Sequence, residues 1–131
     1  QTLTLGSYTR HSGLQDTLTN NATNTTLFSI DLTAAAAGRD VGGFSTFRME
    51  YNITRPTAVS TGKRRGTFTV VAIGDNDSSG NAVTYDDDYT ENEVVDVDLT
   101  AVNTAGVLTV SYTAGDTGYD GTIYYSLSYL D

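Results

Sequence analysis

The run Asp75-Asn76-Asp77-Ser78-Ser79-Gly80, with Asp86 eleven positions after Asp75, sets oxygen-bearing side chains at the first, third, fifth and twelfth places of a loop and glycine at the sixth. That is the ligand order of a calcium-binding loop, since a hard cation gathers oxygens and the glycine permits the sharp turn. The context points elsewhere. Alternating rather than helical patterns flank the run, and the twelfth residue is Asp where a longer, bidentate Glu is usual. An Asp/Asn/Ser/Gly hairpin turn requires the same residues with no metal. A solvated acidic turn is the favoured reading, and a calcium loop through Asp75, Asp77, Ser79 and Asp86 is the alternative. The adjoining Asp86-Asp87-Asp88 cluster, read as an acidic link, repels itself and would welcome a cation. No other cofactor has a ligand set: the chain has no Cys and a single His.

Catalytic constellations fare no better. Asp96 and Asp98 stand two residues apart, about 6–7 Å along a strand, close enough to resemble a glycosidase pair. Their alternation with Val95, Val97 and Leu99 makes them the wet face of a strand instead. His11 has no apolar surroundings and reads as a solvated turn residue. Neither a nucleophile elbow nor a phosphate loop is present. The chain is therefore expected not to be an enzyme.

The remaining chemistry is that of surfaces. The formal net charge is -9, which argues against nucleic acid as a partner. All seven Lys and Arg lie at or before Arg65, five of them being Arg48, Arg55, Lys63, Arg64 and Arg65; the segment from 66 onward carries -12 and the first 65 residues +3. Such polarity can pair one subunit's basic edge with its neighbour's acidic one, or bring the two halves together within one molecule. Tyr outnumbers Phe nine to four and Trp is absent. Tyr112, Tyr125 and Tyr129 fall on apolar faces, whereas Tyr85, Tyr89, Tyr119 and Tyr124 are placed for exposure. An exposed tyrosine ring stacks on sugars or fills a protein interface, where an apolar body with a polar tip is favoured. The basic five and these four tyrosines are the candidate binding residues.

The elements that must position them are strands. In 94–130 three alternations follow one another: Val95, Val97 and Leu99; Leu108, Val110 and Tyr112; Ile123, Tyr125, Leu127 and Tyr129. Side chains in a strand repeat every two residues, so each run has one face to bury. Asn103-Thr104-Ala105-Gly106 and Gly115-Asp116-Thr117-Gly118 supply turns, and the three runs read as a meander. Earlier, 1–5 reads as a short edge strand and 27–32 as a strand with Phe28, Ile30 and Leu32 inward. The segment 34–37 gives at most one helical turn. Residues 44–54 form the longest clean strand, ended by Pro56, followed by 67–73 and a short strand at 83–85. About eight strands without a long helix, in 131 residues, predict one all-β domain over 1–131: an antiparallel β-sandwich, jelly-roll-like, with 1–20 as an extended arm or edge strand used in assembly. No run reaches the roughly 18 apolar residues of a membrane helix, so no membrane partner is expected. Gln1 in place of Met reads as a processed or internal start.

Several pieces, taken in order, are similar to the small β-rich modules of tailed-bacteriophage virion proteins, found in head decoration proteins and in the C-terminal parts of fibres and spikes. They are the Asn/Thr loop before Leu27, Tyr51-Asn52-Ile53-Thr54-Arg55, Gly66-Thr67-Phe68, Asp86-Asp87-Asp88-Tyr89, Val110-Ser111-Tyr112-Thr113 and Gly121-Thr122-Ile123-Tyr124-Tyr125-Ser126-Leu127. The resemblance implies a non-enzymatic structural protein of the virion surface, a decoration or appendage subunit. It further implies a homotrimer in contact with other virion proteins such as a major capsid protein. No shaft repeat precedes the module, which favours a self-contained subunit. The competing expectation is a carbohydrate- or receptor-binding module that uses the exposed tyrosines, with glycan as partner and calcium as stabiliser.

Overall fold

A computed structural model of the chain describes residues 2–3, 10–31, 45–72, 83–104 and 107–129. They form nine strands: β1 (Thr2–Leu3), β2 (Arg10–Leu18), β3 (Thr25–Asp31), β4 (Ser45–Pro56), β5 (Thr61–Ala72), β6 (Val83–Glu91), β7 (Val97–Thr104), β8 (Val107–Ala114) and β9 (Gly121–Tyr129). One sheet has the order β1-β3-β8-β7 and the other β2-β9-β4-β5-β6. Every pairing is antiparallel except that of β1 with β3. The all-β sandwich is as expected. Its jelly-roll character lies in the nesting of β2 and β3 against β9 and β8, each pair crossing from one sheet to the other. The runs β4-β5-β6 and β7-β8 stay within their sheets as hairpins.

The period of two decides what is buried. Phe47, Met49, Tyr51, Ile53 and Arg55 of β4 face inward, as do Ile123, Tyr125 and Leu127 of β9 and Phe68 and Val70 of β5, against Leu99, Leu108, Val110 and Tyr112 of the other sheet. Phe28 stacks on Tyr125 at 5.5 Å between ring centroids and meets Phe47 at 6.3 Å, joining the two sheets. Each such ring contributes about 1.5–3 kcal/mol by leaving water. A register shift between Thr26 and Phe28 lets the consecutive Leu27 and Phe28 both turn inward, an irregularity that strict alternation does not anticipate.

Four expectations need correcting. His11 does not lie in a turn: Arg10–Leu18 form β2, an edge strand that pairs with β9 and places His11 opposite Leu127. The run 94–130 is not a three-stranded meander, because β7 and β8 pair in one sheet while β9 crosses to the other, between β2 and β4. Asp86, Asp87 and Asp88 do not form a link; they pair with Thr69, Phe68 and Thr67 inside β6, an edge strand nine residues long. Charged side chains are well suited to an edge, where they discourage pairing with another chain. Val95 is buried as expected, but Asp96 takes a left-handed conformation, φ 58°, so β7 begins only at Val97. The expected helical turn at 34–37 lies outside the described residues.

Candidate surface for binding

Parity separates the five basic candidates. On β4 the even-numbered side chains face out, and on β5 the odd-numbered ones do. Arg48, Lys63 and Arg65 are therefore exposed, whereas Arg55 and Arg64 are 1% and 4% exposed and lie inside the sandwich. These two are not surface residues: their charge is consumed by the fold.

Arg55, next to last in β4, gathers the loops at that end of the sandwich. Its Nη1 donates to the carbonyls of Val95 and Asp96, both at 3.0 Å. Its Nη2 donates to Asn20 Oδ1 at 2.9 Å and to the Gly115 carbonyl. Asn20 Oδ1 also accepts from the Thr117 amide at 2.8 Å, so the loops at 20, 95–96 and 115–117 meet on one side chain. Arg55 Nε is buried with no hydrogen-bond partner among the described residues.

Arg64 holds the β6 side. Its Nε donates to Glu91 Oε2 at 3.0 Å, its Nη1 to the Val97 carbonyl at 2.6 Å, and its guanidinium lies 3.9 Å from the centre of the Tyr89 ring. Burial by itself pulls the Arg64 pKa down, but the hydrogen bond and attraction from Glu91, with Tyr51, outweigh it and the net shift is upward. The Tyr51 hydroxyl donates to Asp87 Oδ1 at 2.8 Å. Burial first, and then Asp87, push the Tyr51 pKa far above the ordinary tyrosine value, so the phenol remains a donor. Burial likewise raises the Asp87 carboxyl above its usual range, with Asp86 and Asp88 adding repulsion and Tyr51 and Arg64 pulling it back. Tyr51 lies across Gly66, where an added Cβ would stand 2.6 Å from its hydroxyl.

The outer face of the five-stranded sheet is built differently. Register aligns Gln15, Tyr124, Asn52, Arg65 and Thr90 in one row across all five strands, four inter-strand steps or about 19 Å. The neighbouring row carries Thr122, Thr54 and Lys63; the row on the other side carries Ser126, Glu50, Thr67 and Asp88. Tyr124 is 49% exposed, and three shallow depressions over this face share Arg65. Among the described residues Arg65 and Lys63 make no ion pair, while Arg48 and Glu50 approach to 4.0 Å.

Of the other candidate tyrosines, Tyr85 packs on Phe68 at 5.4 Å between centroids and Tyr89 covers Arg64. Both sit on β6 on the inward-facing side of the sheet, half exposed at its edge. Tyr119 belongs to the loop between β8 and β9, where Thr117 Oγ1 donates to its carbonyl at 3.1 Å. The structure thus brings Arg48, Lys63, Arg65 and Tyr124 onto one face and leaves the rest elsewhere. Asp75, Asp77 and Ser79 lie outside the described residues, and Asp86 is an exposed strand residue opposite Thr69. Asn52 and Gln15 are not among the candidate binding residues read from sequence. Their signal is register, since an amide gains meaning only when its cross-strand neighbours are known to be Tyr124 and Arg65.

No protein-family model matches the chain, and no curated protein matches it. Among solved structures, the tailspike protein of Acinetobacter baumannii phage AM24 is similar over 92% of this chain, with 14% identity and a TM-score of 0.39. The tailspike of Acinetobacter phage vB_ApiP_P1 is similar over 88%, with 12% identity and a TM-score of 0.44. The chain spans only 23% and 21% of those two proteins.

Proposed function

We propose that this chain is a non-catalytic module of a tailed-phage virion surface, carried on an appendage, which works by presenting the outer face of its five-stranded sheet to a binding partner. The observation that carries the reading is the division of labour between the two faces. The inward Arg55 and Arg64 hold loops and strands together, whereas on the outer face Arg65 and Tyr124 share one row and Lys63 stands in the next, with no ion pair or ring contact among the described residues. A rigid sheet bearing unengaged polar groups and a flat ring is a recognition surface. The spacing resemblance to β-rich virion modules supplies the setting. Calcium is not needed by this reading.

Gold-conjugated antibody raised against the chain and applied to intact particles tests it: label at the tail appendages is expected. Label confined to the head shell, or none on the particle, overturns the reading. Sedimentation of the isolated chain tests the assembly that accompanies it. A species of three times the 14.0 kDa chain mass, unchanged by chelator, is expected.

A further inference from the structure

On the outer face, the Arg65 row and the Lys63 row beside it hold no carboxylate, although the whole chain carries -9. Acidic side chains begin only in the next row, at Glu50 and Asp88, and Glu50 already has Arg48 near it. Around the two cations stand amides and hydroxyls, with the exposed ring of Tyr124 between Gln15 and Asn52. We propose that this strip binds an acidic glycan, a saccharide chain bearing carboxylates. Arg65 and Lys63 take the carboxylate, Arg65 through its planar fork. Tyr124 stacks against a sugar ring, and Asn52 and Gln15 exchange hydrogen bonds with ring hydroxyls.

The assignment deepens the binding role proposed above and rests on the same face being open. An acidic peptide fits less well, because peptide interfaces draw their energy from large apolar side chains, and apart from Tyr124 the outward side chains of these two rows are polar or charged. Nucleic acid fits worse still, because binding its phosphates needs a cluster of cations and these two rows supply two.

The test is calorimetric titration of the full 131-residue chain with oligomers of galacturonate, of mannuronate and of hyaluronan, with maltohexaose as the neutral comparison. Saturable binding to at least one acidic oligomer is expected, weakened about tenfold or more in Arg65→Ala and in Tyr124→Ala and partly kept in Arg65→Lys. Both positions are exposed, so the variants are expected to melt with the wild type, and Lys63→Ala supplies a second charge deletion on the same strip. No binding to any of the three acidic oligomers overturns the proposal, as does an affinity that Arg65→Ala leaves unchanged or equal affinity for maltohexaose. The outcome is separable from that of the particle labelling. Appendage label without glycan binding removes this assignment alone, while glycan binding without appendage label removes the virion setting alone.

Discussion

At the scale of single residues, the two buried arginines and one half-buried aspartate carry the sharpest consequences. Arg55→Met deletes four donated hydrogen bonds at once. Asn20 Oδ1 and the carbonyls of Gly115 and Asp96 have other donors, so the Val95 carbonyl is the acceptor left bare. An unpaired buried acceptor together with lost charged hydrogen bonds costs about 3 kcal/mol, to be read as a lowered midpoint in urea denaturation. Asp87 behaves in the opposite sense. Burial raises its folded pKa, so between the ordinary carboxylate range and that raised value the folded state binds more protons than the unfolded one, and stability falls as pH rises. Asp87→Asn is therefore expected to be more stable than the wild type at pH 7, with the difference shrinking as pH falls through the raised pKa toward the ordinary range. A gap that widens on acidification would contradict the assignment. Asn keeps an oxygen for the Tyr51 hydroxyl, so the comparison isolates the charge.

At the scale of elements, Gly66 ties β5 to β4. A methyl group there collides with the Tyr51 ring and hydroxyl, and the displaced phenol loses Asp87. Overpacking of this kind costs about 1–3 kcal/mol; Gly66→Ala is expected to melt earlier, and Tyr51→Leu in the same chain is expected to recover part of the loss. The strands themselves were largely legible in the sequence, because alternations such as Phe47 through Ile53 and Ile123 through Leu127 state their own period and buried face. What alternation does not contain is pairing. Nothing local says that β9 leaves β8 for a place between β2 and β4 in the other sheet, or that β2 pairs at all, since its residues are mostly polar and its place is set by register with β9. The same limit governs the site. Parity on β4 and β5 separates Arg55 from Arg48 and Arg64 from Arg65 once the strands are known, and a list of clustered basic residues hides that division. Asp86, Asp87 and Asp88 read as a link because charge dominates their composition, while their strand is fixed from outside by nine cross-strand partners on β5.

At the scale of the molecule, part of the charge asymmetry along the chain is met within it. Arg64 and Glu91 join the basic half to the acidic half at 3.0 Å in the interior, and β5 lies beside β6 along its length. Of the cations whose side chains the structure describes, Arg48, Lys63 and Arg65 lie together on one face, and that placement is the central claim. A chain without cysteine permits a direct test of it on assembled particles. Asn52→Cys places a thiol in the Arg65 row, and Thr104→Cys places one at the exposed end of β7 in the other sheet. Both are to be modified with a bulky polyethylene glycol maleimide before adsorption to host cells is measured. Blocked adsorption after modification at 52, with adsorption intact after modification at 104, is the predicted result. Full adsorption with position 52 modified would contradict the account.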